Sequence, residues 1–253
     1  MIRGIYTSAL GMNVQAARLD SVSNNLANVS VPGYKKDRVL VESFPQLIQL
    51  SARRGSFRRE VLGETNAGAA VQQVVTDHSR GMLKETGNPA DLALGGPGYF
   101  VLAHPQDEDA LYYSRNGSFN VDGEGYLVNQ NGYRVMSDGG PVQITEAENF
   151  MVDENGNITE NGVATGNIYI VDFPAPDNLE RVGHDLYRAA EEEPQQLENP
   201  GLLQRFLESA NVDPVEETVN MITASRAYET GQKLVQAQDG MLDLAINKVG
   251  LLR

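Results

Sequence analysis

Residues 4–34 read GIYTSALGMNVQAARLDSVSNNLANVSVPGY, and within them Ile5, Ala9, Met12, Ala16, Leu19, Ser23 and Leu26 recur at alternating spacings of four and three. Such spacing places one side chain per turn on a single helix face, the seam of a coiled coil, with Ser23 its polar member. A helix of 25 residues from Ile5 is roughly 37 Å long. Pro32-Gly33 marks its end, because proline disfavours helix at the residue before it. The opposite face is unusual: between Gly4 and Tyr34 the only charges are Arg18 and Asp20, and the other polar residues are amides and hydroxyls. A face of that kind can be buried at far lower cost than a charged one once its hydrogen bonds are met.

A second stretch answers the first from the other end of the chain. Residues 213–249 read DPVEETVNMITASRAYETGQKLVQAQDGMLDLAINKV. Asp213 suits the N-cap, Pro214 the first turn, and Glu216 the capping-box position. Met221, Ala224, Tyr228, Gly231, Val235, Gln238, Leu242, Ala245 and Val249 then alternate by three and four. Small residues in that line (Ala224, Gly231, Ala245) allow close helix approach, although Gly231 and Gly240 each cost a helix about 1 kcal/mol relative to alanine. Two such helices can cover one domain's own core or join copies of the chain, and periodicity alone does not choose between these.

Between the helices the sequence is β-rich. Asp122-Gly123-Glu124-Gly125, Asn131-Gly132, Asp138-Gly139-Gly140, Asn155-Gly156 and Asn161-Gly162 are turn signals between short apolar runs such as Tyr99-Phe100-Val101-Leu102. Val121-Asp122-Gly123-Glu124-Gly125-Tyr126-Leu127 and Val152-Asp153-Glu154-Asn155-Gly156-Asn157-Ile158 echo each other and predict two similar hairpins. Residues 189–201 form an acidic loop, and 51–70 an extended or flexible connection. The reading is therefore α+β in four segments: an N-terminal helix over 1–34, an extended connection over 35–85, a β-rich outer domain over 86–205, and a C-terminal helix over 206–253.

Composition narrows the chemistry. Lys plus Arg is 20 and Asp plus Glu is 34, for a net charge of −14, which disfavours nucleic-acid phosphates as a partner. The chain of 253 residues has no cysteine, which removes disulfides, thiolate nucleophiles and Cys-bound metals. No stretch approaches the roughly 18–20 apolar residues of a membrane span, and the N-terminus lacks a continuous signal-type apolar run. His78, His104 and His184 have neither ligand nor triad spacing and read as surface or loop residues. The two Asp-Gly and Asp-Glu-Asn-Gly runs depart from the calcium-loop pattern and read as hairpin turns. Gly95-Gly96-Pro97-Gly98 lacks the ending of a phosphate cradle and reads as a turn. Arg53, Arg54, Arg58 and Arg59 form a basic cluster whose default reading is a solvated loop. No cofactor site and no catalytic group emerges. The rival classes are an enzyme acting on cell-wall glycan, which needs converging carboxylates, and a binding module with a concave β surface.

Four blocks carry a resemblance. Ser23-Asn24-Asn25-Leu26-Ala27-Asn28-Val29, followed by Pro32-Gly33-Tyr34-Lys35, resembles the N-terminal signature of bacterial flagellar axial proteins, the rod and hook family. Thr86-Gly87-Asn88-Pro89-Ala90-Asp91-Leu92-Ala93-Leu94 with Gly98-Tyr99-Phe100-Val101 is similar to its central motif, and Tyr113-Ser114-Arg115-Asn116-Gly117-Ser118-Phe119 to the next. Glu208-Ser209-Ala210-Asn211-Val212-Asp213-Pro214-Val215-Glu216-Glu217, with Asn220-Met221-Ile222 and Arg226-Ala227-Tyr228-Glu229, is similar to the C-terminal signature. The blocks stand in family order and span nearly the whole chain.

The resemblance implies a structural subunit rather than an enzyme. Its terminal helices would pair as a coiled-coil-like inner domain lining a tube that crosses the cell envelope in the flagellar basal body. Partners would be other copies, neighbouring rod and hook proteins, and the flagellar type III export apparatus, which would carry the chain out without a cleaved signal peptide. Chain length and the compact middle favour a rod subunit over the hook, and Val135-Met136-Ser137-Asp138-Gly139-Gly140-Pro141-Val142 favours a proximal-rod member, with a distal-rod or hook-type subunit as the alternative. The assembly contacts would come from Ile5, Met12, Leu19, Leu26, Tyr228, Val235, Leu242 and Val249, with Asn24, Asn25 and Asn28 supplying register-fixing amides.

Overall fold

The computed structural model describes residues 2–43, 47–52, 59–65, 68–145, 150–183, 185–189, 193–197 and 199–249. The fold is α+β, with a helix near each end of the sequence and strands between. The chain forms two compact units: residues 1–26, 37–75 and 214–253 make the first, and residues 27–36 and 76–213 the second. The four sequence segments are regrouped in this division. Residues 27–36 join the β-rich unit because Gly33, Tyr34 and Lys35 are buried in it, and residues 37–75 join the helices.

In the first unit, α1 spans Ile2–Ala27 and α2 spans Pro214–Leu244, continued by a π-helical turn over Ala245–Val249. Strand Asp37–Ser43 pairs with Ala69–Thr76. The segment read as an extended connection supplies an antiparallel pair, Leu47–Ala52 against Arg59–Thr65, with a register shift at Gln49/Leu50. The expected Arg53, Arg54 and Arg58 cluster lies outside the described residues, as does His184.

The second unit is built on one large sheet. Its central order is Leu179–Arg181, Leu186–Ala189, Asp107–Ser114, Tyr99–His104, Arg134–Ser137, Leu127–Asn129 and Phe119–Val121. A separate antiparallel sheet joins Phe150–Val152, Asn157–Glu160 and Val163–Asn167. Alternation along strand Tyr99–His104 explains why it sits at the centre. Phe100 and Leu102 point into a core with Leu92, Phe119, Leu127, Ile158 and Ile170, while Tyr99 and Val101 point into a second cluster with Tyr113, Phe173 and Tyr187. Both faces are covered, so the run reads as continuously apolar.

The sequence echo is a structural repeat. Asp122 accepts hydrogen bonds from the N–H groups of Glu124 and Tyr126 at 2.9 and 2.8 Å, and Asp153 accepts from Asn155 and Asn157 at 3.0 and 2.8 Å. Asn129 does the same for Asn131 and Tyr133, at 3.0 and 2.9 Å. Each side chain thus closes its own turn, the Asx arrangement that favours these residues at hairpin starts. The Asp153 carboxyl is held below its ordinary pKa, first by the Asn157 amide and then by backbone N–H groups of the turn. These carboxylates accept from the backbone N–H groups of their own hairpin turns.

Candidate assembly interface

The stripe read from residues 213–249 is the sheltered face of α2. Met221, Ala224, Tyr228, Gly231, Val235, Gln238, Leu242 and Ala245 are buried or half-buried, while the residues between them are exposed, apart from the half-buried Ser225. The small residues act where expected. A Cβ on Gly231 would stand 2.6 Å from Met12 Cγ, and a Cβ on Gly4 would stand 2.6 Å from Gln238 Nε2. Moving up α1 from Gly4 to Met12 corresponds to moving down α2 from Gln238 to Gly231, so the two helices run antiparallel in close contact. On its other side α2 exposes Val215, Val219 and Ile222 near its start and Leu234, Met241 and Leu244 further along.

On α1 the seam residues Ile5, Met12, Leu19 and Leu26 are half-buried, and Ala9 and Ser23 are exposed. Val14, Val22 and Asn25 are its most buried positions, a line turned away from the seam. The helix must also meet the strands of its unit: a Cβ on Gly68 would touch Leu10 Cδ1 at 2.9 Å. One periodic stripe does not report that second contact.

The three asparagines have different surroundings. Asn25 is buried, its amide donating to the Asp37 carbonyl at 3.0 Å and accepting from the Asp37 N–H at 2.9 Å. Ser21 adds a bond to the same carbonyl at 2.9 Å. Asn25 therefore spends its amide on its own chain. Asn28 is buried in the β-rich unit and Asn24 is exposed. Tyr228, Val235 and Leu242 lie on the α2 stripe, and the Val249 side chain lies outside the described residues.

In the second unit, residues from all four resembling blocks meet at one buried charge cluster. Glu208 accepts from Lys35 Nζ at 2.6 Å and from Arg115 Nε at 2.7 Å, and all three side chains are at most 6% exposed. The Gly81 N–H donates to the same carboxylate at 2.8 Å, and Lys35 also donates to the Ser79 carbonyl at 2.7 Å. The Arg115 guanidinium reaches the carbonyls of Gly96 and Gly98, which fixes the Gly-Gly-Pro-Gly turn. Gly33 N–H donates to the Glu208 carbonyl at 2.7 Å. Gly33 has φ +70, and a Cβ there would stand 2.4 Å from the Arg115 carbonyl carbon, so both conformation and space demand glycine. Burial pushes the Lys35 pKa down against the pull of Glu208. For Glu208, burial alone would raise the pKa, but Arg115 and Lys35 outweigh it and hold the carboxyl below its ordinary value. Removing one partner of charges so deep and so well paired is strongly destabilising. All three residues stand in the resembling blocks, but no spacing rule shows that residues so far apart converge.

Beside this cluster lies a cleft of about 380 Å³ lined by Lys35, His78, Arg80, Tyr99 and Asp172 among others. His78 Nδ1 is 2.7 Å from the Tyr99 hydroxyl, and burial lowers its pKa. Among the described residues Asp172 is the one carboxylate that lines the cleft. His104 packs its ring edge-on to Tyr133. Among the described residues no group of three or more His, Asp or Glu is placed to hold a metal, and no helix is long and apolar enough to cross a membrane.

Residues 5–35 match the family described as flagella basal body rod protein, residues 93–160 the flagellar hook protein FlgE/F/G D1 domain, and residues 203–248 the flagellar basal body rod FlgEFG protein C-terminal family. The flagellar basal-body rod protein FlgG of Bacillus subtilis (strain 168) is 32% identical over 98% of this chain and 99% of its own length. The chain belongs to the flagellar basal-body rod protein family. Rod-family relatives of equal extent include FlgG of Borreliella burgdorferi, 31% identical over 98% of both chains. The flagellar hook-basal body complex protein FlhO of Bacillus subtilis is 32% identical over 99% of both. The expectation of a proximal-rod member finds no support in these names. The stretch that suggested it, residues 135–142, is an ordinary hairpin: Met136 pairs with Pro141 and Ser137 with Gly140. Its residues answer to a local turn. As a rod-family chain the protein is a structural component of the flagellar basal body.

Proposed function

We propose that this chain is a distal-rod subunit, polymerising through its terminal helices into the tube that carries torque across the cell envelope. The observation that carries the reading is the near end-to-end likeness to proteins named FlgG. It is supported by the outward apolar residues of α2, such as Val219, Ile222 and Met241, which a solvated helix would not present so densely. A head-to-tail contact repeated without closure gives a filament. Ile5, Met12, Leu19, Leu26, Tyr228, Val235, Leu242 and Val249 pair the terminal helices that present this contact, and the exposed Asn24 supplies a polar one. The subunit meets other copies and neighbouring rod and hook proteins, and it leaves the cell through the flagellar export apparatus without a cleaved signal. Cryo-electron tomography of basal bodies bearing a compact density tag on this chain tests the placement. Density in the outer part of the rod is expected; density confined to the inner part would restore the proximal reading, and none in the rod would overturn both.

A further inference from the structure

The sheltered stripe of α2 carries two polar flaws. Glu217, four residues before Met221 on that stripe, is 7% exposed, and its Oε2 is buried with no hydrogen-bond partner among the described residues. Gln238 lies 21 residues on, three heptads later on the same stripe, and its Oε1 is likewise buried and unmet. Gln238 sits close against α1, at Gly4. Buried acceptors without donors weaken a helix pair, and polar residues at seam positions are a known means of choosing partner and register. The α2 N-terminus, whose dipole favours a negative side chain, does not satisfy Oε2.

We infer that Glu217 and Gln238 are partner-selecting positions, which hold the α1–α2 pair of the free subunit below its apolar optimum and are satisfied by a second copy of this chain. The inference rests on the polymerising subunit proposed above and names how its contact is chosen. The second copy brings suitable donors. Its α1 presents an almost uncharged polar face, with exposed Asn13 and half-buried Gln15, whose amides can reach an acceptor without burying a new charge. That role explains why such a face lacks lysine and glutamate. It also gives the two flaws a common axial spacing, so that copies pack at one register.

The test compares the full chain with Glu217→Met, Gln238→Met and Glu217→Gln. Two readouts are followed: amide exchange of α1 and α2 in the free subunit, and growth of filaments by light scattering and electron microscopy. Both methionine variants are expected to slow exchange of the free helices about tenfold and to lower the rate of growth at least as much. Glu217→Gln keeps an acceptor oxygen and is expected to grow like the unaltered chain. Methionine variants that grow at the unaltered rate, or that exchange faster as free subunits, would overturn the inference. Failure of the unaltered chain to grow under any condition would instead strike the polymerisation reading itself, and slower exchange in the methionine variants would then still show the flaws to be destabilising.

Discussion

Lys35 and Glu208 are 173 residues apart in sequence, yet their charged groups meet at 2.6 Å in the interior of the β-rich unit. Arg115 completes the cluster from a third region. Residues 33–36 and 208–211 are thereby tied together. Asn211 adds to the tie, accepting from the Lys36 N–H at 2.8 Å and donating to the Asp77 carbonyl at 2.7 Å.

Removing the shared carboxylate should be costly. Glu208→Ala leaves two cations buried without a counter-charge, and a loss of about 3–5 kcal/mol is expected. Lys35→Met should cost less, because Arg115 still pairs with Glu208. Denaturant unfolding of the two variants checks the order.

The same cluster sets an acid limit. The Glu208 pKa is lower in the folded chain than its ordinary value of 4.5. Its stabilising contribution is therefore complete above that value and is lost as the pH falls through the folded pKa. Melting temperature followed from pH 6 downward should fall for the unaltered chain. Glu208→Gln should start lower and show a flatter acid limb; an equally steep limb would place the titrating group elsewhere.

Two glycines of α2 should answer alanine in opposite ways. Nothing lies within 4 Å of a Cβ at Gly240, whereas one at Gly231 meets Met12. Gly240→Ala should stabilise the helix by about 1 kcal/mol. Gly231→Ala should gain less or lose stability, and Gly231→Leu should separate α1 from α2. Helical ellipticity against temperature distinguishes the three.

Asn25→Ala removes two bonds to the Asp37 backbone, leaving Ser21 on its carbonyl, and should cost about 1–3 kcal/mol in the free chain. Asn24→Ala, at an exposed position, should cost less. Chemical unfolding ranks them. An Asn24 variant that unfolds normally but fails to polymerise would assign that residue to contacts between copies.

Leu242→Asp places a charge on the α2 stripe, far in sequence from the β-rich core. A protease-resistant core spanning residues 86–188 should persist while incorporation into filaments is lost. Global unfolding of the variant would show that the two units depend on each other.

The α2 stripe was legible because helical period writes burial directly into sequence: from Met221 to Ala245, every position named from spacing is sheltered. The paired turns at Asp122 and Asp153 were legible for a similar reason, since an Asx turn is built from neighbours. The buried line of α1 through Val14 and Val22 was not, because α1 packs in two directions and a single stripe describes one. The meeting of Lys35, Arg115 and Glu208 was also hidden. Pairings such as Leu83–Glu85 with Phe206–Glu208 are long-range, and local pattern carries no term for them.

The self-closing turns have a practical consequence. Asp153 holds its hairpin through its own carboxylate, so the exposed tip residue Glu154 contributes no bond of that set. With no cysteine anywhere in the sequence, Glu154→Cys would create a single thiol on a rigid stem. A fluorophore there would report the motion of the β-rich unit without competing attachment chemistry.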